Sequence, residues 1–215
     1  MSTRSVLTSE EKVVYKQALI DYMNKHVKKT TPNDNKLLGF LPGDRYGWQM
    51  YLGNALYNHK VLEVITYLFL QEVHEKIGHY NFQLAGREWS ACPLLSAIPV
   101  ATKFLIDVDI NSFMVKKERK TYGMRQFTEG VPQPNVPVLI IDDAFNSTIS
   151  FDHCRKVIES ELKLPVLPFI FAPFNKYQTG DAGKDVNYDH ILGKNYRAMW
   201  GITMEELNRA QPITY

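Results

Sequence analysis

The sequence predicts an α/β protein built on a parallel sheet, and three observations lead there. Apolar runs such as Val138-Leu139-Ile140-Ile141 show no polar alternation, as strands buried on both faces do. Amphipathic segments at helical spacing stand between those runs, the order of a βαβ chain. The length of 215 residues suits one domain with a full core and room for a small appended subdomain.

The elements follow in order. Ser9-Glu10-Glu11 opens the first helix, because a hydroxyl ahead of acidic residues caps free amide groups, and a mixed apolar stripe runs to about Val27. Lys28 to Lys36 is polar, contains Pro32 and reads as a connection. Leu37 to Leu41 with Pro42-Gly43-Asp44 reads as a strand and turn, and alternating Trp48, Met50 and Leu52 as a second short strand. Asn54 to His79 is the longest helical pattern, with Val61, Val64, Ile65, Leu68, Phe69 and Val73 in period and Gly78 as terminator. Tyr80 to Ala85 is read as a strand, Pro93 to Lys103 as a helix, and Ser112 to Val115 as a strand. Lys116 to Val136 lacks periodicity, and a connection that long in a compact domain is more often functional than structural. Val136 to Ile141 is a buried strand, Phe151 to Leu162 a helix and Val166 to Phe171 a further strand. Pro173 to Tyr215 is aromatic and polar and reads as a surface wrap, with a short helix near Thr203 to Ala210.

Composition excludes several classes. A hydrophobic fraction of 45% and a charged fraction of 22% are those of an ordinary soluble globular chain. A net charge of +2 gives no ground for a nucleic-acid or membrane-surface partner. The two cysteines, Cys92 and Cys154, have no CxxC spacing and define neither a disulfide framework nor a zinc site, so a reducing, cytoplasmic setting is expected. Met1 to Glu11 has no apolar signal core, and no apolar stretch is long enough to span a bilayer. The six histidines are scattered, and His74 and His79 miss the i, i+4 pairing of a zinc helix.

The chemistry concentrates between Val138 and Ser150. Four apolar residues end at Asp142-Asp143, and the carboxyl end of a strand is where open α/β sheets bind ligands. Asn146, Ser147, Thr148 and Ser150 then lead into a helix, whose free amides and hydroxyls form a phosphate cradle. Two carboxylates at that place can accept hydrogen bonds from adjacent sugar hydroxyls, directly or through Mg²⁺. A buried strand ending in a polar turn, with Asp as a helix cap, has the same sequence. Paired acids also end strands in Mg²⁺-dependent phosphatases and P-loop enzymes, but the chain has no GxxxxGK[ST], and Asp142 does not open a DxD.

A second segment, Lys116-Lys117-Glu118-Arg119-Lys120-Thr121-Tyr122-Gly123, precedes the aspartates by about twenty residues. Together the two segments resemble the orotate phosphoribosyltransferases, which carry an Arg-Lys-Glu-x-Lys-x-His-Gly loop before a hydrophobic strand ending Asp-Asp-x-x-Thr-x-Gly-Thr. The resemblance covers about Leu37 to Leu162. It implies a type I phosphoribosyltransferase fold with a small N- and C-terminal hood. It also implies transfer of a phosphoribosyl group from 5-phosphoribosyl-1-pyrophosphate to orotate or a related base, with release of pyrophosphate. Asp142 and Asp143 would contact the ribose hydroxyls and hold Mg²⁺, the expected cofactor, through water or substrate. Asn146, Ser147, Thr148 and Ser150 would hold the 5-phosphate, and Lys116 and Lys117 would reach the pyrophosphate. Lys120, assigned with the aspartates to catalysis, and Tyr122 would lie on a closing loop, often over the neighbouring subunit's site, so a homodimer is expected. Arg87 and Ser90, in the place of the family's pyrophosphate loop, are candidate pyrophosphate contacts, and Arg45 is the candidate basic residue at the base.

Three of the chain's departures from the family pattern bear on its chemistry. Thr148 stands where the family has glycine, a restriction on backbone approach to phosphate. Tyr122 replaces the usual His, and Lys116 the usual Arg, which loses a bidentate fork but keeps the charge. A second expectation therefore stands beside the enzyme: a non-catalytic binding or sensor protein that keeps the donor pocket. Either way one domain spanning 1–215 is expected, with a core of about 55–172 and a hood from 1–54 and 173–215.

Overall fold

The computed structural model describes residues 7–30, 48–118, 126–145, 149–175, 197–203 and 206–207. Thr8, one residue ahead of the expected start, caps α1 (Ser9–Tyr22). Its hydroxyl accepts from the Glu11 amide at 3.2 Å, and the Glu11 carboxylate accepts from the Thr8 amide at 2.7 Å. A π-helical turn, Met23–Val27, carries the chain into β1 (Lys28–Thr30), where a connection was expected. β1 pairs antiparallel with β2 (Trp48–Met50). The strand expected over Leu37 to Leu41 and its turn lie outside the described residues.

The long helix expected from Asn54 to His79 is two helices, α2 (Gly53–Leu56) and α3 (His59–Lys76). Asn58 makes the break: its side-chain oxygen accepts from the Lys60 and Val61 amides and caps α3, worth about 1 kcal/mol. Gly78, at φ 78°, ends the segment in the left-handed conformation expected of a terminator. Among the described residues, no helix is long and apolar enough to cross a membrane.

The main sheet follows. Its strands are β3 (Gln83–Arg87), β4 (Ser112–Val115), β5 (Thr128–Glu129), β6 (Val138–Ile141), β7 (Ala144–Phe145), β8 (Val166–Asn175) and β9 (Arg197–Thr203). α4 (Cys92–Ile106) connects β3 to β4, and α5 (Ile149–Ser160) connects β7 to β8. β4, β3, β6, β8 and β9 are parallel neighbours in that order, with β5 antiparallel on the outer edge of β4. β7 pairs with β8 at the offset of β6, since Ile141↔Phe171 and Ala144↔Phe174 both differ by 30. Asp142-Asp143 therefore fills a gap in one interrupted strand line.

Three expectations need correction here. β3 starts at Gln83 rather than Tyr80, because Tyr80 to Phe82 precede its pairing with β4 and β6. β8 runs past Phe171 to Asn175, beyond the expected core boundary. The region read as a surface wrap supplies β9, paired along β8 from Phe169 to Asn175, and Thr203 belongs to that strand rather than to a helix. Glu206 and Leu207, within the expected helix, are helical.

Side chains of β6 alternate between two cores. Leu139 and Ile141 join Leu68, Phe69, Leu94 and Ile98 of α3 and α4, while Val138 and Ile140 join Phe151, Val157 and Ile158 of α5. Helices on both faces are the physical reason that this strand is apolar throughout. Phe69 meets Phe171 edge-on with ring centroids 5.0 Å apart, fastening α3 to the sheet. From β3 the chain steps to β4 on one side and later to β6 on the other. The order of connection therefore reverses between β3 and β6, where such sheets open a crevice at the strand ends.

Candidate active site

The loops after β3 and β6 meet at that crevice, and Gly86 lets them. A methyl group at Gly86 would collide with the Ala91 side chain and lie 2.6 Å from the Ile141 carbonyl oxygen. The requirement is close approach: the start of α4 folds back onto the end of β6 with no space between.

Two hydrogen bonds join the loops. Ser90 Oγ donates to Asp142 Oδ1 at 2.7 Å, and Arg87 Nη1 donates to Ser150 Oγ at 3.2 Å. The Asp143 amide donates to the same Asp142 oxygen at 2.9 Å, and the Ala144 amide donates to Asp143 Oδ1 at 2.7 Å. The Asp142 amide donates to the Phe171 carbonyl at 3.0 Å, so the residue stays registered on β8 after β6 ends. Asp142 is 8% exposed, and its donors satisfy a carboxylate that burial would otherwise penalise. Between Arg87 and Ser90, Trp89 takes φ 48° and stands 80% exposed. A non-glycine residue in that region costs on the order of 1 kcal/mol.

Cys154 lies on the inner side of α5. Burial, with a smaller contribution from the Asp142 charge, pushes its thiol up to about 12, and the nearby Arg87 cation offsets part of this. At neutral pH it is an un-ionised thiol and no nucleophile. Burial also pushes the Cys92 thiol up.

The fold thus brings Arg87, Ser90, Asp142, Asp143 and Ser150 together. Lys116 is placed differently from the expectation: it is 5% exposed, and its Nζ lies 2.8 Å from a Glu129 oxygen and 3.2 Å from the Gln126 carbonyl. A buried ammonium needs such partners, and these commit its charge to the return arm of the segment rather than to an incoming anion. Lys117, the next residue, is exposed. Arg45, Lys120, Tyr122, Asn146, Ser147 and Thr148 lie outside the described residues.

Sequence reasoning passed over Glu129 and His153. An acid on the return arm of a basic segment, and a histidine one helical turn after Ser150, were the signals available. Among the described residues no three His, Cys, Asp or Glu side chains cluster to hold a metal ion. The Asp142–Asp143 pair alone suits a Mg²⁺ ion that keeps water and takes further oxygens from a bound substrate.

No protein-family profile matches the chain. It is 24% identical over 117 residues to the orotate phosphoribosyltransferase of Pyrococcus abyssi, covering 54% of this chain and 60% of that relative. It is 26% identical over 145 residues to the orotate phosphoribosyltransferase of Methanosphaera stadtmanae, covering 66% of this chain and 76% of that relative. The chain therefore spans less than two thirds of the Pyrococcus relative's length. The structure is similar to that of Mycobacterium tuberculosis orotate phosphoribosyltransferase, with a TM-score of 0.67 at 14% identity, covering 90% of this chain and 98% of that one. At that identity the likeness is one of fold.

Proposed function

We propose that this chain, whose fold is that of the type I phosphoribosyltransferases, transfers the phosphoribosyl group of 5-phosphoribosyl-1-pyrophosphate to a nitrogenous base, orotate or a relative. The observation that carries the reading is the pair of adjacent carboxylates in the gap between β6 and β7. That gap lies at the reversal of strand order and is bonded across to Ser90, with Arg87 on Ser150 alongside. The similarity to two orotate phosphoribosyltransferases supports it.

In the reaction the bond from the sugar's C1 to the pyrophosphate oxygen breaks, and a nitrogen of the base takes that position. Positive charge develops on the sugar and negative charge on the leaving group. Asp142 has one oxygen occupied by Ser90 and the Asp143 amide, so it is pre-set to receive ribose hydroxyls through the other. Ser150 and the first amides of α5 receive the 5-phosphate, with Arg87 beside them. Lys117 meets the pyrophosphate. Asp142 and Asp143 would hold Mg²⁺, directly or through the substrate's own oxygens, and the ion would supply neutralising charge to the leaving group. No nucleophilic side chain is required, in keeping with the un-ionised Cys154. The chain acts in the cytoplasm as a homodimer with Lys120 reaching the neighbouring site, and takes no nucleic-acid or membrane partner.

The test is pyrophosphate release from the donor with Mg²⁺ and a panel of bases. Turnover with orotate or a related base is expected, together with loss of donor binding in the Asp142→Asn, Asp143→Asn double variant. Unchanged donor affinity in that variant would refute the site. Donor binding by calorimetry without turnover on any base would favour the second reading, a non-catalytic sensor, to which Thr148 in place of glycine points.

A further inference from the structure

We infer that His153 is a positioning residue that ties the helix receiving the donor's 5-phosphate to the cationic segment meeting its pyrophosphate. The inference rests on the proposed donor site.

His153 sits half-buried at the start of the second turn of α5, three residues beyond Ser150. Its Nε2 lies 2.8 Å from the Lys116 carbonyl oxygen. A carbonyl only accepts, so Nε2 carries the proton and donates. Lys116 is the point at which the chain leaves β4. Its amide donates to the Phe127 carbonyl at 2.8 Å, and its ammonium is held by Glu129 and the Gln126 carbonyl. All of those partners belong to the returning arm of the same segment. The bond from His153 alone among these comes from α5, and so refers the segment to Ser150.

The Lys116 carbonyl shares one planar peptide with the Lys117 amide. A donor that holds the carbonyl therefore fixes the heading of Lys117, the exposed cation that follows. The donor substrate carries phosphate at both ends. A fixed distance between Ser150 and Lys117 means that one end, once bound, presents the other to its cation without further ordering.

The test compares the full-length wild-type chain with His153→Leu, which removes the donor, and His153→Gln, which returns an N–H at similar reach. Readouts are the KM for the donor, kcat, melting temperature and hydrogen exchange at the Lys117 amide. For His153→Leu we expect a rise of roughly three- to tenfold in KM, the range of a single hydrogen bond. Faster exchange at Lys117 should accompany it, with the melting temperature nearly unchanged, and His153→Gln should recover most of both. Wild-type kinetics and exchange in His153→Leu would overturn the inference while leaving the donor site standing. A loss that follows the melting temperature and is not recovered by Gln would overturn it in favour of a purely structural role. A wild-type chain that does not bind the donor overturns both.

Discussion

Ser90 carries more of the site than its sequence context shows. Its hydroxyl is the cross-loop donor to a buried carboxylate, a kind of bond worth about 1.5–3 kcal/mol. Ser90→Ala should weaken donor binding by on the order of tenfold in calorimetry, with Ser90→Thr retaining most of it; equal affinity in all three chains would show that Asp142 needs no such support. Asp142, Asp143 and Ser150 were legible because charge after an unbroken apolar run is a local pattern. The partner of Ser90 was not, because it lies 52 residues away in the chain and no periodicity connects them. Lys116 shows the opposite failure. It reads as one cation in a basic run, and only the fold reveals that Glu129 meets its ammonium at 2.8 Å in a buried place.

At the scale of elements, legibility followed the clarity of the apolar pattern. β4 and β6, and helices α4 and α5, were legible to within a few residues, because each carries a clear period or an unbroken apolar run. The break between α2 and α3 was hidden, since apolar period continues across it and only the capping geometry of Asn58 marks it. β9 was hidden because, with β8 as its one pairing neighbour among the described residues, it shows few inward apolar side chains, here Met199 and Ile202. The junction of β3 with α4 carries a prediction. Gly86→Ala would force a methyl group against Ala91 and the Ile141 carbonyl, and overpacking of that kind costs about 1–3 kcal/mol. The melting temperature should fall by several degrees, and an unchanged melting curve would contradict the packing.

For the whole molecule, the outer face of α4 asks for an explanation. Val100 is 58% and Phe104 85% exposed, beside an apolar groove of about 780 Å³ that also takes in Leu62, Pro93 and Ala97. Contiguous apolar surface of this sort is what a partner covers, and on the proposed homodimer this face, which begins beside the loop carrying Ser90, is the one a second copy would cover. Phe104→Glu should shift the chain from dimer to monomer in analytical ultracentrifugation and lower activity with it. A wild-type chain that sediments as a monomer at tens of micromolar would dispose of the idea; that is a common working concentration for modest dimers.

The pairing of β9 with β8 also bears on how the chain is made. A ribosome delivers β8 before residues 176–196 and Arg197–Thr203 have emerged, so the growing chain holds one edge of its main sheet open. That edge runs through Phe169, Phe171 and Phe174 beside unpaired backbone groups, a template for any stray strand. The edge stays open from the completion of β8 until β9 has emerged and paired. A chaperone that holds the nascent chain over that interval would keep the edge from stray pairing.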